Sequence, residues 1–125
     1  MLLGKTLLGV SALVFIGYGL VSLVSPAIPA GFAGLVISNG DAFAEIGAMY
    51  GGLQTGLGLF CALALAKPEF YRSGLTLLLI AIGTLALARL VSVLITADPV
   101  TSYSYGALGY EFTTAALALA ALMKK

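Results

Sequence analysis

Four apolar stretches, about residues 4–24, 41–66, 73–96 and 103–123, are each long enough to cross a bilayer, which takes roughly 20 residues of helix. None contains a proline. Pro26, Pro29, Pro68 and Pro99 all fall in the connections, where a helix breaker belongs. This pattern leaves few options. Inside lipid the backbone finds no water, so each stretch must satisfy its own hydrogen bonds as a helix. Charged residues make up 9% of the chain, against about 25% in soluble domains, too few to build a water-facing surface. The expected fold class is an all-α membrane protein: one four-transmembrane-helix domain over residues 1–125, with little outside the bilayer.

The first stretch follows Lys5, as the core of a signal peptide would, but its apolar run exceeds the roughly 7–15 residues of such a core. It is read as a true span. Lys5, Lys67, Arg72, Lys124 and Lys125 cluster at the two termini and in the second connection, whereas the first and third connections hold no Lys or Arg. The positive-inside rule then puts both termini and the 67–72 hairpin in the cytoplasm, a pattern that four spans close. Tyr103, Tyr105 and Tyr110 fit an aromatic girdle at the outer interface.

The first outer connection, residues 25–40, is itself apolar and too short to span, so it is expected to be interfacial or re-entrant. It ends in Asn39-Gly40-Asp41, a turn leading into a helix with Asp41 at or near its cap. Ser102 or Ser104 is the expected cap of the fourth span.

The second stretch is the least ordinary. It carries Asp41, Glu45 and Gln54 together with Gly47, Gly51, Gly52, Gly56 and Gly58. At 100° per residue, Asp41, Glu45, Ala48, Gly52 and Gly56 share one face, and Gly47, Gly51, Gln54 and Gly58 lie nearly opposite. Each face contains a GxxxG spacing. Helices in lipid associate through close backbone approach, which small residues permit, so two small faces predict neighbours on both sides. In the first span Ser11, Phe15, Tyr18 and Ser22 line up. In the third, Arg89, Ser92 and Thr96 do so above Ile82 and Leu85. In the fourth, Ser104, Ala107, Glu111, Thr114, Ala115 and Ala118 form a narrow stripe. These faces are expected to turn inward.

Counting from the outer ends at about 1.5 Å per residue, Glu45 lies roughly 6 Å down and Arg89 and Glu111 roughly 10–12 Å down. An ionised side chain at the membrane centre costs about 2.5–3.5 kcal/mol on insertion scales, so these groups are expected to find one another. The guanidinium of Arg89 is a planar fork able to serve both carboxylates. The expected polar site is a buried Glu45–Arg89–Glu111 cluster in the outer half of the bilayer, with Asp41, Tyr50 and Gln54 nearby. Two carboxylates on one guanidinium leave an excess negative charge, to be met by a proton or a further cation. Such a cluster serves equally as a register-fixing ion-pair network or as a binding site.

Other chemistry is thin. Histidine is absent, which removes imidazole bases and histidine metal ligands, and the acids have no metal-ligand spacing. Cys61 has no activating base and reads as a packing residue. A net charge of +1 without a basic run argues against nucleic acid. No catalytic residue and no cofactor is specified.

The string Glu45-Ile-Gly-Ala-Met-Tyr-Gly-Gly-Leu-Gln-Thr-Gly-Leu-Gly, with Ala88-Arg89-Leu90-Val91-Ser92 and Glu111, resembles an uncharacterised bacterial family of small four-helix membrane proteins, catalogued as a domain of unknown function. The family pattern has an arginine two residues after the first glutamate; here that position is Gly47. A looser similarity runs to the DoxX-like membrane proteins. The resemblance implies the bacterial inner membrane and lends no activity. The functional expectation is a non-enzymatic protein that binds lipid or a small molecule, or serves as an accessory to another membrane protein or to a second copy of itself. The alternative is a proton-coupled small-molecule transporter acting as a dimer, with Glu45 or Glu111 titrating.

Overall fold

The computed structural model describes residues 1–124 and contains five helices: α1 (Leu2–Val24), α2 (Ala27–Ala33), α3 (Gly40–Ala66), α4 (Pro68–Ile95) and α5 (Ser102–Met123). There is no strand among the described residues. Every helix except α2 is long and apolar enough to cross a membrane. The chain is thus an all-α four-helix membrane bundle, the fold class its composition dictates.

The helix starts follow local chemistry. The Asn39 side chain accepts a hydrogen bond from the Ala42 amide at 2.8 Å, so Asn39 is the cap of α3. Asp41 sits in the first turn instead, where a carboxylate faces the positive end of the helix dipole. At α5 the cap is Thr101, whose hydroxyl accepts from the Tyr103 amide at 3.3 Å, rather than Ser102 or Ser104. α4 begins earlier than expected. Pro68 opens a 3₁₀ turn over Pro68–Phe70 that runs straight into the helix, because proline has no amide to leave unpaired there. α2 stops at Gly34, whose φ of 74° is the left-handed conformation glycine adopts without a Cβ clash.

Neither long inner helix is a regular α-helix throughout. Residues Gly47–Leu53 of α3 and Leu78–Ile82 of α4 are π-helical. Their i→i+5 bonding widens the turn, so each residue advances around the axis by less than 100°. Face assignments made with the α-helical angle drift beyond these segments. On α4 the buried line runs Gly74, Leu75, Leu78, Ile82, Ala86, and Leu85, expected to face inward, is exposed.

The chain folds as two compact units. The first comprises residues 1–8 and 64–124. In it Gly74 lies against Ala64 and Leu8, and Gly83 against Ala115. α4 and α5 run antiparallel, shown by Arg72 near the start of α4 donating to the Leu122 carbonyl at 3.0 Å near the end of α5. Of the stripe expected on α5, Glu111, Thr114, Ala115 and Ala118 are buried and Ala121 continues it, while Ser104 and Ala107 at its outer end are half-buried.

The second unit comprises residues 9–63. Here α1 and α3 pack antiparallel with their backbones nearly touching: Gly19 meets Thr55 and Gly51, Leu23 meets Gly51, and Ile16 meets Gly58. A Cβ at Gly51 would fall 2.8 Å from Leu23 Cα, and one at Gly58 would fall 2.7 Å from the Ile16 nitrogen. Only glycine allows that approach. Ser11, Phe15 and Ser22 of α1 are buried, with Tyr18 partly so. Cys61 is likewise fully buried.

Of the two expected glycine faces on α3, one is packed within this unit. Gly47 and Gly51 are buried, whereas Gly52 and Gly56 are exposed with open space where a Cβ would stand. Gly51→Ala and Gly58→Ala are therefore expected to destabilise the fold by about 1–3 kcal/mol, as overpacking does. Gly52→Ala and Gly56→Ala are expected to be neutral, or to stabilise by up to about 1 kcal/mol through helix propensity. Reversible unfolding of the four variants in mild detergent checks the contrast.

Candidate functional site

The polar centre of the first unit is one ion pair. Arg89, towards the end of α4, and Glu111, in the third turn of α5, meet because their helices are antiparallel. Between one and two helical turns further along, Gly83 and Ala115 let the same helices come close. The pair is bidentate: Arg89 Nε donates to Glu111 Oε1 and an Arg89 terminal nitrogen donates to Oε2, both at 2.9 Å. Both carboxylate oxygens are thus engaged by one guanidinium edge, the fork-to-fork geometry that makes such pairs strong.

Burial is unequal. The Glu111 side chain is 7% exposed and that of Arg89 is 25% exposed. Thr114 and Ala115 are buried one turn along α5 from the carboxylate. Ser92, one turn beyond Arg89, gives its hydroxyl back to the Ala88 carbonyl at 2.9 Å. A serine that satisfies itself on its own helix needs no lipid-exposed partner. Thr96, at the end of α4, instead accepts from the Asp98 amide at 3.2 Å.

The remaining candidates belong to the second unit. Glu45, expected as a buried third member of the cluster, has an exposed side chain. At its level of α3 the buried line is occupied by Ile46 and Gly47, so Glu45 points away. Asp41 is also exposed, while Tyr50 and Gln54 are half-buried. Asp41, Glu45, Ala48, Gly52 and Gly56 are all exposed, so the polar and small residues that share this side of α3 meet no packing within the unit. Sequence reasoning found Arg89 and Glu111 but missed Thr55, whose hydroxyl donates to the Gly51 carbonyl at 2.7 Å inside the π segment. A threonine four residues after a glycine gives no signal of that on its own. Among the described residues no group of His, Cys, Asp and Glu could hold a metal ion.

A four-helix membrane protein with a part-buried carboxylate–guanidinium pair between two of its helices is the class that fold and site define. The chain belongs to the family of the domain of unknown function DUF4345, whose model matches residues 3–122. Searches of curated proteins and of solved structures give no match.

A fixed guanidinium left without its anion in a membrane is costly, and breaking a buried pair by removing one partner typically loses about 3–5 kcal/mol. With Arg89 a quarter exposed, Glu111→Gln is expected to lose about 2–3 kcal/mol of stability, towards or below the low end of that range. Arg89→Lys keeps the charge but not the fork, and should fall between wild type and Glu111→Gln. Unfolding midpoints in detergent rank the three.

Proposed function

We propose that this protein is a non-enzymatic component of the bacterial inner membrane, accessory to another membrane protein, which it engages through the exposed side of α3. The observation that carries this reading is the combination on that side: Glu45, a carboxylate within a membrane-spanning helix, is exposed, and Gly52 and Gly56 leave open space for a second backbone. An acid in that setting is stabilised by a donor from a neighbour, and small residues are what helix pairs in lipid use to approach. The closed geometry of Arg89 with Glu111 supports an internal brace at that pair, because both carboxylate oxygens already accept from the guanidinium. The distribution of lysine and arginine supports cytoplasmic termini.

A second reading keeps Glu45 as its centre. An exposed acid within a span, outside the Arg89–Glu111 pair, suits a proton-coupled transporter built from two copies. Native mass spectrometry of the gently extracted protein separates the two. The accessory reading expects a heteromeric complex that Gly52→Leu and Gly56→Leu disrupt while the isolated variants still fold. A homodimer, with pH-driven substrate uptake in proteoliposomes lost in Glu45→Gln, would favour transport. A lone chain retaining lipid or a small molecule would contradict both.

A further inference from the structure

The connection between α1 and α3 is an interaction surface in its own right. Residues 25–40 contain no charged side chain. Within it α2 is two-faced: Pro29 and Ala30 are buried, whereas Ile28 and Phe32, one turn apart, are exposed, Phe32 at 61%. The chain then turns at Gly34, where the Leu35 amide donates to the Ala30 carbonyl at 2.8 Å, and presents Leu35 and Val36 outward, Val36 at 82%. Four large apolar side chains thus project from one short connection.

We infer that α2 and residues 34–36 lie in the interfacial layer of the bilayer, as a monotopic anchor whose partner is the boundary between lipid headgroups and acyl chains. Three observations select lipid over water or a re-entrant path. The segment follows directly in the chain on the end of α1, a membrane-spanning helix whose Leu20, Val21, Leu23 and Val24 are also exposed. α2 has 7 residues, a rise of about 10 Å, which cannot reach the middle of a hydrocarbon core roughly 30 Å thick and return. A re-entrant path would also need its non-helical backbone buried in protein, yet Gly34, Leu35 and Val36 are all exposed. A helix lying in the interface meets every condition: its apolar face enters the acyl boundary and its backbone ends stay hydrated. Because the segment has no charge, its insertion does not require anionic lipid.

The chain contains no tryptophan, so Phe32→Trp provides a single tryptophan, excited apart from the tyrosines, on the exposed face, and Val36→Trp a second, independent one. Each variant is reconstituted in phosphatidylcholine vesicles whose acyl chains carry bromine either near the glycerol or near the chain end. The inference expects blue-shifted emission, quenched more strongly by the shallow bromines than by the deep ones, and unchanged when anionic lipid is added. Emission typical of water that acrylamide quenches and bromine does not would overturn it. So would strongest quenching by the deep bromines, which indicates re-entry, or blue-shifted emission insensitive to both, which indicates that protein covers the segment.

Discussion

Arg89 carries a charge that it cannot give up. The guanidinium stays protonated in any protein environment, so a helix that takes it into the membrane must supply an anion at the same depth. Glu111 is that anion, and its position fixes how α4 lies on α5. Their antiparallel register brings the two side chains level, and Gly83 against Ala115 allows the backbones to approach. Both oxygens of the carboxylate are then held by one guanidinium edge at 2.9 Å. Slipping either helix by one residue would rotate one partner away from the other. On the proposed reading the pair acts as a register lock, with the alanines and threonine of α5 as the small surface that lets the two helices approach.

The second unit solves the same problem without charge. Apolar side chains gain nothing by leaving lipid for protein, so packing and backbone proximity must hold α1 to α3. Gly19, Gly51 and Gly58 provide that proximity, and Thr55 returns its hydroxyl to Gly51, satisfying a polar group at the seam. The π segment at Gly47–Leu53 is where this helix departs from regularity. Gly47 and Gly51 both lie within it and both stay buried, one turn apart on the side that faces α1. What remains outside is chemically uneven for a lipid-facing surface: an acid, Glu45, and the small residues Ala48, Gly52 and Gly56, beside the exposed Met49 and Leu53.

Much of this was legible from the residues. Apolar run lengths and the placement of Pro26, Pro29, Pro68 and Pro99 mark the four long helices, because the energetics of a bare backbone in lipid leave no alternative. The α5 stripe was equally readable, since that helix is regular and its small residues recur at helical spacing. Arg89 and Glu111 could be matched by depth alone, because the topology sets their levels independently of any contact. The failures have separate causes. Leu85 shares the regular part of α4 with Arg89, but the buried line there passes through Ile82 and Ala86, which leaves Leu85, Ser92 and Thr96 exposed. Glu45 was matched by depth as well, but depth carries no azimuth, and the neighbouring Ile46 and Gly47 take the inward direction. Asp41 does lie near the cap of α3, in its first turn, but the cap of α5 was missed for a simpler reason: Thr101, Ser102 and Ser104 are all competent caps, and the choice between them is made by the path of the chain.

That Arg89 and Glu111 form an internal brace, with their mutual bond as its main energetic content, is tested most directly by a double-mutant cycle. Arg89→Leu, Glu111→Leu and the two together are compared with wild type by reversible unfolding in the same detergent. The brace predicts that each single variant loses more than the double does relative to its own background, with a coupling of about 2 kcal/mol or more. Losses that simply add would mean that the two side chains work independently, and would contradict the account.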